Sequence, residues 1–200
     1  FRTATLAGAD ISAPEPTLGR TVVAGTTAGE VYVREQGSRE FLPLSAAESI
    51  PVNSVLDTRD GRVALQTALP KGKSQTATFR GGMFKVRQSR KSKGMTHIAL
   101  RGGNFASCKQ GKADRAQPMF RKRRKKRAIR KLWAKDKGGR FKTSGKGSVA
   151  TVRGTKWFTA DRCDGTLTRV TRGKVLVRER GTGQRKLLRR GQSFLARIPR

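Results

Sequence analysis

Two hundred residues with 34% hydrophobic content can build one modest core, which limits the chain to one domain with or without a large insertion. Lys and Arg total 46 against 13 Asp and Glu, a net charge of +33, and that balance favours anionic polymers as partners without choosing among them. No run approaches the 18 apolar residues of a membrane-spanning helix, so a helical span is excluded.

The chain begins at Phe1 with no initiator Met and no signal peptide, which reads as a processed protein or an excerpt of a longer one. Residues 1–20 read as a linker or arm, because Ser12-Ala13-Pro14-Glu15-Pro16 blocks regular structure. If such an arm is ordered, something outside its own sequence orders it, such as a neighbouring subunit. From Thr21 the pattern becomes β. Gly29-Glu30-Val31-Tyr32-Val33-Arg34-Glu35 alternates, Ser38-Arg39 turns, and Phe41-Leu42-Pro43-Leu44 returns. The next strand runs from Ile50 to Thr58. Arg59-Asp60-Gly61 then predicts a tight hairpin turn into Arg62–Thr67. Two strands follow around Gly81-Gly82, Gln75–Arg80 and Met83–Gln88, rich in residues that favour sheet. Met95–Arg101 is another, with His97, Ala99 and Arg101 on one face and Ile98 and Leu100 on the other.

A basic insertion is expected over 109–137. Its centre is seven consecutive cations, Arg121, Lys122, Arg123, Arg124, Lys125, Lys126 and Arg127, with Arg130 and Lys131 beyond. As a helix this run would repel itself at every i,i+4 step, so it reads as extended or mobile until a polyanion holds it. Ile129, Leu132 and Trp133 have helical spacing and permit one short turn. The β pattern resumes at Arg140-Phe141-Lys142-Thr143 and continues from Ser148 to Arg197. Along that last stretch Val170, Val175 and Val177 sit among charged neighbours at the period of a half-buried strand. Gly29, Val31, Val33, Arg34, Glu35 and Gly37 match Gly173, Val175, Val177, Arg178, Glu179 and Gly181 at a constant offset of 144. One offset for six residues predicts two related β units at the chain ends, able to pack together with the middle inserted. The plainer reading is two strands of similar composition.

The block Ala150-Thr151-Val152-Arg153-Gly154-Thr155, then Asp164-Gly165-Thr166, Gly173-Lys174-Val175-Leu176-Val177 and Arg190-Gly191-Gln192, resembles a FecR-type domain, most clearly over residues 148–197. That family takes its name from a periplasmic sensor of iron-citrate uptake. Related domains occur in many secreted and envelope proteins of bacteria. The resemblance implies an almost wholly β, non-enzymatic domain outside the cytoplasm; iron signalling is not carried over. Two cysteines, Cys108 and Cys163, permit one disulfide or two buried thiols. The oxidising compartment that the resemblance implies favours the disulfide.

Catalysis has little to stand on. The one histidine, His97, has nothing at motif spacing around it. Asp57 with Asp60, and Asp161 with Asp164, are paired carboxylates in turn-like sequence, where Asp commonly bonds its own backbone. Two cysteines and one histidine do not fill a zinc site, and no calcium loop or other cofactor motif is present. Gly139–Gly147 imitates a phosphate loop, with its first glycine one place early and Gly147 where a magnesium-binding hydroxyl belongs. Trp157 reads as a core residue, and so, less clearly, does Trp133. The polycation is the feature with functional promise, although Phe120 and Trp133 only flank it and no ring interleaves it. The plainer alternative is a solvated loop that keeps the protein soluble or protects an edge.

The sequence thus predicts a single all-β domain over 21–200, a sandwich or rolled structure of about 10–12 short strands. It would be extracellular or in the cell envelope and would serve structure, adhesion or surface and fibre assembly. The cationic residues above would contact a cell-wall polymer, a polysaccharide or nucleic acid, and free β edges would permit self-assembly. A nucleic-acid-binding basic protein is the runner-up.

Overall fold

A computed structural model describes residues 14–106, 108 and 127–198. Fifteen strands form one hydrogen-bonded network. They are β1 (Thr21–Gly29), β2 (Tyr32–Arg34), β3 (Leu42–Pro43), β4 (Glu48–Pro51), β5 (Val55–Asp57), β6 (Gly61–Ala68), β7 (Ser74–Arg80), β8 (Met83–Arg87), β9 (Thr96–Arg101), β10 (Arg130–Asp136), β11 (Phe141–Ser144), β12 (Ser148–Arg162), β13 (Gly165–Glu179), β14 (Arg185–Arg189) and β15 (Ser193–Arg197). Among these, β9 and β11 pair in parallel and the other pairs are antiparallel. The domain is all-β, as the sequence predicts.

The count exceeds ten to twelve because several long strands bend and divide at a corner. β1 and β2, β5 and β6, and β7 and β8 are each consecutive and lie in different halves of the network. The long hairpin β12–β13 stays continuous and bulges between Arg153 and Lys156. On either side of that bulge β12 takes different neighbours, β11 along its first part and β10 along its second. One wing therefore runs β14-β13-β12-β11-β9-β8-β5-β2-β3 and the other β15-β13-β12-β10-β7-β6-β1-β4.

The core lies between the wings. Phe79 of β7 meets Phe84 of β8 at 4.9 Å and Phe141 of β11 at 6.2 Å between ring centroids, joining the two halves through aromatic contact. Trp157 is fully buried beside them, and its indole N–H donates to Thr143 Oγ1 at 3.2 Å. The corners need close backbone approach. A Cβ on Gly82, between β7 and β8, would stand 1.7 Å from the Lys131 carbonyl oxygen, so only glycine fits there.

Several expectations change. Arg59-Asp60-Gly61 is not a hairpin: β5 pairs with β2 and β8, and β6 with β1 and β7, so the turn is a corner between wings. The span from Ile50 to Thr58 divides into β4 and β5 at Asn53, whose φ is +75°. Residues 130–136 form β10 between β7 and β12, not a helical turn of the insertion; Leu132 and Ala134 face the core at the strand period. The described part of the arm is held by its own chain, through a hydrogen bond from the Gly19 amide to Gln88 Oε1 at 3.2 Å.

The repeat is structural as well as sequential. Tyr32 pairs with Pro43 and Val33 with Leu42; 144 residues later Leu176 pairs with Leu187 and Val177 with Lys186. Val31, Val33, Val175 and Val177 all point inward. The two units are not strand partners, although their inward valines belong to one core cluster. They occupy opposite edges of the rolled sheet, with the intervening strands between them.

Cys108 and Cys163, 55 positions apart in sequence, are joined in a disulfide with Cα atoms 5.3 Å apart. It ties the insertion to the turn linking β12 and β13.

Candidate polyanion-binding surface

The cations of the sheet are placed by strand register. On β6 and β7, Arg62 lies directly opposite Arg80. Lys156 of β12 lies opposite both Lys135 of β10 and Arg172 of β13. Lys174 of β13 lies opposite both Arg153 of β12 and Arg189 of β14, and Arg178 lies opposite Arg185. That makes six directly opposed cation pairs, every member exposed. Like charges in this position each cost on the order of 0.2–1 kcal/mol. The alternation that buries Val170, Val175 and Val177 sends these side chains outward.

No carboxylate among the described residues is ion-paired with any of them. Among the described residues, the exposed carboxylates are Glu15, Glu30, Glu35, Glu40, Glu48 and Asp60, all in the first part of the chain. The later ones are consumed inside the structure. Buried Asp136 accepts from the amides of Gly138, Gly154 and Thr155. Glu179 accepts from Thr182 Oγ1 and the Arg197 amide. Asp161, fully buried, accepts from the Lys146 amide at 2.9 Å, from Thr166 Oγ1 and from Arg130 Nε at 2.7 Å. Asp164 pairs with Arg162 at 2.8 Å.

On the first wing, burial first and neighbouring cations second perturb His97, Lys85 and Arg101. Burial, then Arg87, Arg101 and Arg34, holds Lys85 below the usual lysine value. Burial, then Arg87 and Arg130, lowers Arg101. Burial, then Lys142, Arg87, Arg180 and Arg101, lowers His97 to about 4. Its ring is therefore neutral at pH 7, and Nε2 meets Ser144 Oγ at 2.7 Å. Ser144 is buried, and no carboxylate among the described residues is hydrogen-bonded to the ring.

Of the cations singled out from the sequence, Arg121, Lys122, Arg123, Arg124, Lys125 and Lys126 lie outside the described residues. Arg127 is exposed and so is Lys131. Arg130 is not a free cation: it serves buried Asp161 and lies 5.1 Å from the Phe105 ring. Asp57 pairs with Arg59 at 2.6 Å. The loop resembling a phosphate cradle has already used its donors, since the Lys146 and Gly147 amides bond Asp161 and Thr166. No group of three or more His, Cys, Asp or Glu among the described residues is placed to hold a metal. No helix among them is long and apolar enough to cross a membrane.

The exposed cations of the sheet lie outside the contiguous run. Arg169, Arg172, Lys174, Arg178, Arg185 and Arg189 are dispersed in sequence and converge only through pairing. Counting charge by segment reveals them: residues 14–60 contain four Arg, no Lys and seven carboxylates, and the excess of cations begins after that. No family model, curated protein or solved structure matches this chain.

Proposed function

We propose that this chain is a non-enzymatic, extracellular FecR-like β module that binds anionic polymers and serves structure, adhesion or surface assembly. The observation that carries this reading is the set of six opposed cation pairs on a surface with no exposed carboxylate among the described residues after Asp60. Pairs that oppose folding persist where an anionic partner neutralises them. The Cys108–Cys163 disulfide supports a compartment outside the cytoplasm, where such bonds last. The polycation around Arg121–Arg127 adds reach to the same task.

Binding to heparin, polyphosphate and DNA, measured across a salt series, tests the proposal. Log affinity should fall linearly with log salt for all three, as displaced counterions require. Reversing Lys156 and Lys174 to Glu should flatten that slope. Absence of binding to all three at low salt would sink the reading. Sedimentation over a wide concentration range tests assembly separately; a strict monomer alone and with polyanion counts against it.

A further inference from the structure

The outer surface of the second wing carries a shallow cleft of about 400 Å³ whose lining includes Arg62, Arg80, Trp133, Lys135 and Lys156. Arg62, Arg80 and Trp133 of that lining belong to a row across adjacent strands that continues past the cleft onto β12 and β13. Trp133 of β10 lies opposite Phe158 of β12 on one side and Arg80 of β7 on the other. Beyond these, Arg62 lies opposite Arg80 and Arg169 opposite Phe158. The two rings are 4.6 Å apart at 44°, and the Arg80 guanidinium sits 5.5 Å from the Trp133 ring. Two residues along the strands, about 7 Å away, the parallel row is Lys135, Lys156 and Arg172.

This is a pair of half-buried aromatic rings set between cations. Trp133 and Phe158 are not needed by the core, which Trp157 and the buried phenylalanines fill from the opposite face. A polyanion recognised by charge alone has no use for them. A strand of nucleic acid with unstacked bases has use for both rows: flat rings for the aromatics and phosphates for the cations. A duplex keeps its base faces hidden and offers only phosphate.

We propose that this cleft and the sheet face beside it bind single-stranded nucleic acid, with a base stacked on Trp133 and Phe158 and flanking phosphates on Lys135, Lys156 and Arg172. Arg80 covers the indole when the cleft is empty and turns to a phosphate when a base takes its place. The inference rests on the polyanion-binding reading and names the polymer that this part of the surface selects.

Tryptophan emission provides the test. Trp157 is fully buried, so quenching by a ligand reports Trp133. The folded, oxidised protein is titrated with an oligothymidylate of about ten nucleotides, with polyphosphate, and with duplex DNA. Oligothymidylate should quench; polyphosphate should bind without quenching. Phe158→Leu and Trp133→Leu, each checked for a native thermal transition and titrated by anisotropy of a labelled ligand, should weaken oligothymidylate about tenfold and leave polyphosphate unchanged. Should Trp133→Leu fail to fold, Phe158→Leu alone decides. Equal responses of both ligands to the aromatic substitutions, or duplex binding as tight as single-strand binding with the same quenching, would overturn the proposal and leave the polyanion reading standing. If no ligand binds at low salt, that reading fails and takes this one with it.

Discussion

Buried charge is the most consequential feature of individual residues here. Asp161 neutralises Arg130 and fixes the Gly145–Gly147 turn through the Lys146 amide. Replacing it by alanine leaves a largely buried guanidinium without a counter-charge. Asp161→Ala is expected to cost ~3–5 kcal/mol, read as a lower urea midpoint at pH 7, and Asp161→Asn less. His97 gives a second test. Its folded pKa, about 4, lies below the unfolded value near 6.5. The unfolded chain therefore binds the extra proton first, and stability contributed by the neutral ring is lost as pH falls from about 6.5 towards 4. An NMR titration of this single histidine should show a midpoint near 4. His97→Gln should flatten the fall in stability across that window, provided the contact to Ser144 survives.

Each strand of this sheet answers to an inward and an outward demand, and the two differ in how legible they are. The inward one is plain in sequence: alternation at Val31, Val33, Val175 and Val177 places them in the core, and the 144-residue repeat predicts paired units that the register reproduces. Corners are not legible. Asp60-Gly61 has the chemistry of a hairpin turn, and only the pairing of β5 and β6 with different neighbours shows that the chain crosses between wings. β10 was hidden for a related reason, because its cations continue the basic run and Leu132-Trp133 fits either period over so few residues. The corner predicts that Gly82→Ala, with its Cβ driven to 1.7 Å from the Lys131 carbonyl, yields little folded protein. Gly183→Ala, in open space at φ +72°, should cost only about 1–3 kcal/mol of backbone strain in denaturant titration. The outward demand predicts a trade-off. Lys156 faces two cations, so Lys156→Gln should stabilise the free protein at low salt by a few tenths of a kcal/mol to about 1, while weakening polyanion binding. Unchanged stability with unchanged binding would show both pairs to be inert.

For the molecule as a whole, the disulfide and the charge act in opposite directions. Cys108–Cys163 closes a 55-residue loop, worth about 4 kcal/mol in the chain-entropy description. Reduction should lower the urea midpoint accordingly, and the Cys108→Ser, Cys163→Ser double variant should match the reduced protein. Self-repulsion at +33 should make the melting temperature rise with added salt and rise further with polyphosphate. The separation of the two chain ends has one more effect. Among the described residues the exposed carboxylates fall within residues 15–60, whose strands β1–β4 lie at the far ends of the two wings, while the exposed charges of β13–β15, where the wings meet, are all cations. The protein is thus an electric dipole as well as a polycation. On the polyanion-binding proposal, an anionic surface should turn the molecule before contact, with β13–β15 down and β1–β4 facing away. A layer of such molecules would present outward the only negative face each possesses among its described residues, so the coat would not repeat the charge of the side that adheres.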